Sequence, residues 1–148
     1  MELTFENTSI NDIDSIFNLS KNLIEKYEID PNIEFEKVLI WVKGKIEKNI
    51  KNYQCIYFKG IKAGYYCLYD SGEKMELDDL YVFDEFQRKG IGTEILKHTN
   101  SIAKEKGKDI FLYVFVKNED AIKLYLRNGY KIVKNINDSR YIMEIKNG

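Results

Sequence analysis

An unbroken apolar run, IFLYVFV at residues 110–116, limits the architectures open to this chain. A strand with one face in water alternates apolar and polar residues, whereas a strand covered on both faces does not. The run therefore predicts a β-strand in the interior of a sheet, with packed layers on both of its faces.

The segments on either side of this run predict helices inserted among hairpin-linked strands. Short turn sequences, Lys59-Gly60 and Asp70-Ser71-Gly72, join three of the strands. In chain order the predicted elements are a strand at 2–6, a helix at 12–27, a helix with Asp30 as its cap and Pro31 as its first residue, strands at 53–58, 62–69 and 74–83, a helix at 90–106, the run at 110–116, a helix from Asn118 to Gly129, and strands at 130–135 and 140–146. This order favours a mixed α/β layer fold over a doubly wound one, in a single domain spanning 1–148.

The balance of charge excludes several classes of partner. With 23 basic and 24 acidic residues, the chain has no net field that would attract nucleic acid or an anionic membrane. The N-terminal segment lacks a basic stretch followed by an apolar run, and no stretch nears the ~20 apolar residues of a membrane-spanning helix. We expect a cytoplasmic protein that binds neither nucleic acid nor membrane. A homodimer is left open.

The cysteines and the single histidine narrow the chemistry. Cys55 and Cys67 fall inside predicted strands without metal-ligand spacing, so we expect buried free thiols, with a disulfide between them as the alternative. His98 is the only histidine, which excludes a histidine-rich zinc site. A Ser-His-Asp triad would have to use His98 as its base. We therefore expect no metal.

The most informative segment is LDDLYVFDEFQRKGIGT at residues 77–93, which indicates a strand, a polar turn and a glycine-spaced loop that opens a helix. Backbone N–H groups at such a helix start converge on one place, where the helix dipole adds positive potential that suits a pyrophosphate. Gly90 and Gly92 would let the backbone approach the phosphate oxygens. The alternative is an ordinary helix start. A Rossmann-type site is disfavoured because the G-x-G-x-x-G fingerprint is absent.

Two motifs resemble the signatures of the GNAT acetyltransferases. Residues 87–92, QRKGIG, match the family's Q/R-x-x-G-x-G/A signature for acetyl-CoA, and residues 118–130, NEDAIKLYLRNGY, resemble its N-x-x-A-x-x-x-Y-x-x-x-G-F/Y segment. Both lie in the family's order on the predicted element types. The resemblance implies the GNAT acyl-CoA N-acyltransferase fold, whose fourth and fifth strands splay apart, and acetyl-CoA as the co-substrate.

The resemblance also implies how acetyl-CoA is bound. Pantetheine would pair with the exposed edge of the fourth strand like an added strand, and the pyrophosphate would sit on the amides of residues 88–93. Asn118 would contact the cofactor, and the Tyr125 hydroxyl would protonate the departing thiolate. The implied cofactor contacts are Leu80, Tyr81, Val82, Gln87, Arg88, Lys89, Gly90, Ile91, Gly92, Thr93, Asn118 and Tyr125. The residues alone leave Asn118 as a helix cap and Tyr125 as a core aromatic as alternatives.

Three acids lie on the strand beside the expected thioester. An alkyl ammonium must lose a proton before it attacks, and a carboxylate can take that proton directly or through water. Strand alternation puts Asp79 on one face and Glu76 with Asp78 on the other, unless a β-bulge changes the pattern. Glu76 and Asp78 are the candidate catalytic bases, and Asp79 is a candidate substrate contact. A solvated strand face is the alternative for these acids.

A narrower resemblance concerns the acceptor. Segments 77–82 and 92–97, and Lys26-Tyr27-Glu28, resemble the spermidine/spermine acetyltransferases, although that group has Glu where Asp78 stands and Trp where Lys117 stands. This implies a small di- or polyamine substrate contacted by Tyr27 and Glu28. Acids within 25–36 would form a rim that favours a polycation, or would instead complement a helix N-terminus. The alternatives are a protein or peptide N-terminal acetyltransferase and a non-catalytic acetyl-CoA-binding module.

Overall fold

A seven-stranded mixed sheet with two helices on each face organises the chain. The computed structural model describes all 148 residues. The elements are β1 (Leu3–Asn7), α1 (Ile13–Tyr27), α2 (Phe35–Asn49), β2 (Tyr53–Phe58), β3 (Ile61–Asp70), β4 (Met75–Val82), α3 (Ile91–Glu105), β5 (Ile110–Phe115), α4 (Glu119–Arg127), β6 (Lys131–Ile136) and β7 (Arg140–Ile145). The predicted mixed α/β fold and its element order are confirmed.

Two apolar clusters hold the helices to the sheet. The larger one packs α3 and α4 against one face of the sheet and includes Ile91, Ile95 and Leu96. The smaller one packs α1 and α2 against β2, β3 and β4 on the other face, through Ile16 and Ile46. The chain therefore forms three layers, with the sheet in the middle.

The centre of the sheet is split. Strand order is β1-β2-β3-β4-β5-β7-β6, and all neighbours are antiparallel except β4 and β5. These two parallel strands pair only at Met75 with Ile110 and Glu76 with Phe111, after which the pairing stops. The rest of β4 keeps its hydrogen bonds to β3 alone. The expected separation of the fourth and fifth strands is thus present, and it begins beside Glu76.

The prediction that β5 is covered on both faces is wrong for one face. Ile110, Leu112 and Val114 are buried against α3 and α4, whereas Tyr113 on the opposite face is 42% exposed. The smaller apolar cluster has no member from β5, because α1 and α2 pack directly on β2–β4 and leave a cavity between themselves and β5. The apolar run is continuous because this uncovered face lines a cavity.

The predicted start of the second helix is also wrong. Asp30 and Pro31 form a turn, in which the Asp30 carboxylate accepts from the Asn32 N–H at 2.9 Å and its carbonyl accepts from the Ile33 N–H at 3.3 Å. The side chain of Asp30 competes with the helix for local donors, so the helix begins at Phe35. The predictions for the cysteines hold, since Cys55 and Cys67 are buried and free. No helix is both long and apolar enough to cross a membrane.

Candidate active site

A cavity of about 940 Å³ opens at the split between β4 and β5. Helices α1 and α2 roof it, β4 and β5 form its floor, and α4 closes one end. Its polar lining includes Ser20, Lys45, Lys48, Asn49, Tyr53, Tyr69, Glu76, Asp78, Asp79, Tyr81, Asn118, Tyr125 and Arg140. Most of the other lining side chains are apolar, so polar groups inside it act at reduced dielectric.

All three acids of β4 line this cavity, which corrects the prediction from simple alternation. Cys67 of β3 lies opposite Asp79 and Leu68 lies opposite Leu77, so Asp78 is an extra residue in the ladder. A bulge of this kind turns two consecutive side chains toward the same side of the sheet. Asp78 and Asp79 therefore join Glu76 on one surface, which we call the acidic wall (Glu76, Asp78 and Asp79).

Each carboxylate of the acidic wall has its own donors. The Tyr69 hydroxyl donates to Glu76 Oε1 at 2.7 Å, and Lys45 Nζ donates to Asp78 Oδ1 at 2.6 Å. Asp79 accepts from the hydroxyls of Tyr53 and Tyr81, the latter at 3.0 Å. Because Tyr81 donates to Asp79, the Ser20 hydroxyl, 2.6 Å away, donates to Tyr81.

Two of these carboxyls have pKa values near neutrality. Burial raises the pKa of Glu76 to about 7, the nearby Asp78 charge adds to the rise, and the Tyr69 hydrogen bond opposes it. Burial and the Asp78 charge likewise raise the pKa of Asp79 to about 6, against the hydrogen bonds from Tyr53 and Tyr81. A carboxylate with a pKa near 7 is matched to taking a proton at neutral pH.

Tyr125 lies at the α4 end of the cavity. Its ring packs against Tyr130 with the centroids 5.9 Å apart. Burial, with a contribution from the Asp79 charge, raises the pKa of Tyr125 to about 12. The phenol therefore keeps its proton throughout the neutral range and has that proton to donate. Asn118, which also lines the cavity, caps α4 by accepting from the Ala121 N–H at 3.3 Å.

The loop before α3 is built to receive an anion. Arg88 and Gly90 both have left-handed backbone conformations, with φ of 63° and 84°. None of the backbone N–H groups of residues 88–93 donates to an acceptor in the chain, and the helix start adds its dipole to them. Gln87 ties the loop to the end of β4 by donating to the Val82 carbonyl at 3.0 Å. These groups fit a pyrophosphate that lies beside the split.

Gly92 also has a packing role that the sequence did not predict. A Cβ at this position would lie 3.2 Å from Leu124 Cδ2, so the missing side chain admits α4 close to α3. Gly90 needs its left-handed φ, which a residue with a Cβ adopts only under strain. The motif thus serves the helix–helix contact as well as the loop.

Tyr27 and Glu28 lie outside the cavity lining. The Glu28 carboxylate accepts from the N–H groups of Ile29 and Asp30 and from the Ser139 hydroxyl. The Tyr27 ring stacks on Phe115, with centroids 6.4 Å apart. Glu28 thus ties the α1–α2 loop to the β6–β7 hairpin, and the acids of residues 25–36 contribute nothing to the lining.

Sequence reasoning missed Lys45, Tyr53 and Tyr69. Lys45 was detectable, because it lies three residues after Val42 and seven after Val38 in the apolar stripe of α2. A charge in such a stripe needs a partner. No group of three His, Cys, Asp or Glu side chains is arranged to hold a metal.

Comparisons with known proteins find matches to both the sequence and the fold of this chain. The sequence model of the acetyltransferase (GNAT) family matches residues 16–130. N-alpha-acetyltransferase 50 of Danio rerio is 28% identical over 131 residues, which cover 77% of this chain and 78% of that protein. Spermidine N(1)-acetyltransferase of Thermoplasma acidophilum is 38% identical over 74 residues, which cover 49% of this chain and 45% of that protein. The PaiA N-acetyltransferase of the same organism, solved with coenzyme A, superposes with a TM-score of 0.74 at 24% identity over 99% of each chain.

Proposed function

This chain belongs to the acetyltransferase (GNAT) family and is an acetyl-CoA-dependent N-acetyltransferase, and from that premise we propose that its acceptor is a primary amine of a small molecule, with di- and polyamines as the best-fitting class. One observation carries the proposal. The acidic wall lines the cavity beside the point where β4 and β5 separate. Carboxylates in that position would attract an ammonium and remove its proton.

The donor side of the site would be formed by β4 and the loop before α3. Acetyl-CoA supplies the thioester whose acetyl group is transferred. The main chain of Leu80, Tyr81 and Val82 faces the gap left by β5 and would pair with the pantetheine. Residues 88–93 would hold the pyrophosphate through their N–H groups, and Asn118 would contact the cofactor from the α4 end of the cavity.

Glu76 is the best-placed base. At pH 7, removing a proton from an alkyl ammonium with a pKa of about 10.4 costs roughly 4–5 kcal/mol. Glu76, whose pKa burial raises to about 7, lies at the start of the split. It would take the first proton, directly or through a water, and pass it to solvent. Asp79 would help hold the amine.

Tyr125 would complete the transfer. As the amine nitrogen bonds to the acetyl carbon, the carbon–sulfur bond breaks and negative charge develops on sulfur. The Tyr125 hydroxyl would donate to that sulfur while it accepts the second proton of the nitrogen, so no phenolate accumulates. Of the two protons the ammonium loses, one goes to Glu76 and then to water, and the other ends on the thiol.

A screen of acceptors tests the proposal. Release of coenzyme A is measured with putrescine, spermidine, amino acids, aminoglycosides and short peptides at equal concentration, and the products are identified by mass spectrometry. We expect the di- and polyamines to give the highest kcat/KM. Glu76→Gln is the matched control that separates enzyme turnover from background aminolysis. Turnover of peptides or aminoglycosides without turnover of putrescine or spermidine would reject di- and polyamines as the acceptor class.

A second candidate acceptor is the N-terminus of a protein or peptide. It is favoured by the similarity to the Danio rerio enzyme, which extends over 77% of this chain. A free α-amino group has a pKa of about 7.7–8.0, so it needs less help from a base than an alkyl ammonium. If peptides are the acceptors, Glu76→Gln should cost much less activity than it does with an alkyl amine.

A further inference from the structure

Lys45 introduces a cation into the cavity that accepts the substrate amine. It extends from α2, and its Nζ lies 2.6 Å from Asp78 Oδ1 and 5.5 Å from the centre of the Trp41 ring. The side chain of Lys45 is 29% exposed, whereas that of Asp78 is 5% exposed. The pair therefore lies at the inner surface of the cavity, with the carboxylate inside and the ammonium at its edge.

The Asp78 carboxylate can accept a further hydrogen bond besides the one from Lys45. Its second oxygen, Oδ2, is buried and has no hydrogen-bond partner while Glu76 is ionised, whereas a protonated Glu76 carboxyl would hydrogen-bond Asp78. Buried carboxylate oxygens are rarely left without a donor in native proteins, because the desolvation cost is not recovered. An unpartnered oxygen on the lining of a substrate cavity indicates a place for a donor that arrives with the ligand.

The charges of the acidic wall define how many cations that wall can pair with. When Glu76 has received the proton of the reacting amine, Asp78 and Asp79 keep one negative charge each. Lys45 cancels one of these charges, and a single ammonium on the acceptor cancels the other. Without Lys45, the same wall would match an acceptor that brings two ammonium groups.

We propose that Lys45 is a specificity-determining residue that occupies one cation position on the acidic wall and so favours diamine acceptors over triamines. The inference rests on the proposed function, because it concerns the acceptor of that same site. Removing one partner of a buried ion pair leaves an uncompensated charge. In a variant without Lys45, Asp78 would therefore bind the additional ammonium of a triamine.

The test is a comparison of putrescine, a diamine, with spermidine, a triamine, at saturating acetyl-CoA. Lys45→Gln should raise the ratio of kcat/KM for spermidine over putrescine roughly tenfold, mostly through KM. Lys45→Arg keeps the charge and should retain the ratio of the native enzyme. Lys48→Gln is the matched control, because Lys48 lines the same cavity from the same helix without an ion-pair partner, and it should leave the ratio unchanged.

A pH profile separates this role from a structural one. The carboxylates that raise the pKa of Lys45 are those of Asp78, Asp79 and Glu76. The Tyr53 hydroxyl donates to Asp79, and the Tyr69 hydroxyl donates to Glu76. Lys45 lowers the pKa of both Glu76 and Asp79, against the larger effect of burial. Lys45→Gln should therefore move the acidic limb of kcat/KM for putrescine to higher pH, whereas Lys48→Gln should not.

Each result of these experiments either supports or overturns the role proposed for Lys45. Equal selectivity in Lys45→Gln, Lys48→Gln and the native enzyme, or an unmoved acidic limb in Lys45→Gln, would overturn the inference while leaving amine acetylation intact. Turnover of peptides with neither amine would instead reject the proposed function itself. If Lys45→Gln folds poorly, the double variant Lys45→Gln/Asp78→Asn removes the uncompensated charge, and it should show no gain for spermidine. A tenfold gain in that double variant would contradict the role of Asp78.

Discussion

At the scale of single residues, the proposed chemistry depends on a carboxyl group whose pKa burial brings close to neutrality. Glu76 is 7% exposed, accepts from Tyr69 and shares the cavity with Asp78 and Asp79. Burial and the Asp78 charge disfavour its ionised form, so its pKa reaches about 7. The same group would attract an ammonium when ionised and then accept its proton.

Replacing Glu76 with Gln should lower kcat for an amine acceptor by roughly 10²-fold or more, because the proton acceptor is lost. The amide carbonyl can still accept from the Tyr69 hydroxyl, so the local packing should remain. In the native enzyme kcat/KM should fall as pH drops below about 7, where Glu76 is protonated. A pH–rate profile with the same acidic limb in Glu76→Gln would remove this residue from the proton transfer.

The same substitution should stabilise the fold above neutral pH. The pKa of Glu76 is about 7 in the folded protein against an ordinary value of 4.5. Between these values the folded state binds more protons than the unfolded state, so the free energy of unfolding falls as pH rises through this window. Glu76→Gln removes that loss, on the order of a few kcal/mol at pH 8. Thermal unfolding at pH 4 and pH 8 should show the gain only at the higher pH.

Tyr125 is tested by removing its hydroxyl alone. Tyr125→Phe keeps the ring against Tyr130, so the packing of α4 should survive. If the hydroxyl donates to the departing sulfur, kcat should fall by roughly 10²-fold, while the stabilisation by acetyl-CoA stays the same. Tyr130→Phe is a suitable control, because the buried Tyr130 hydroxyl has no hydrogen-bond partner. Unchanged kcat in Tyr125→Phe would return Tyr125 to a packing role.

At the scale of elements, one loop and one bulge create the site. The loop before α3 presents free N–H groups at a helix start, and the bulge in β4 turns consecutive acids into one cavity. Both features lie on the same strand–loop–helix segment, on either side of Val82. The donor and acceptor halves of the site are therefore positioned by a single continuous stretch of chain.

The loop should lose acetyl-CoA binding when Gly90 is replaced with Glu. Acetyl-CoA at 100 times its dissociation constant stabilises the fold by about 2.7 kcal/mol, or roughly 5–10 °C in Tm for a chain of this size. A carboxylate at Gly90 would repel the pyrophosphate and abolish this shift. Gly107→Glu is the matched control, since Gly107 also has a positive φ and follows the opposite end of α3. A preserved shift in Gly90→Glu would contradict the assignment of the loop.

Local patterns predicted most of the elements but not the way they open at the centre. The bounds of β2 and the ends of α3 follow from turn glycines and alternation, which act over a few residues. The bulge at Asp78 depends on its register with Cys67 and Leu68, which lie eleven and ten residues earlier on another strand. The open face of β5 and the contact of Gly92 with Leu124 depend on how distant helices pack. Such tertiary contacts leave no signal in the local sequence.

At the scale of the whole molecule, the split sheet would give the two proposed substrates separate approaches. The loop before α3 (residues 88–93) lies at the start of that helix on one face of the sheet. The cavity lined by the acidic wall lies under α1 and α2 on the other face. The split at Glu76 connects the two sides. Glu28 and Ser139 hold the α1–α2 loop to the β6–β7 hairpin across the acceptor side. The fold therefore fixes the walls of both halves around a common centre.

The most direct test of this account is the pH dependence of coenzyme A release with putrescine as acceptor, measured for the native chain and for Glu76→Gln. The account predicts acceptor-dependent release with an N-acetylated amine as the product, and kcat/KM that rises with an apparent pKa near 7 in the native chain only. Coenzyme A release that is independent of putrescine, or an identical pH profile in Glu76→Gln, would contradict it.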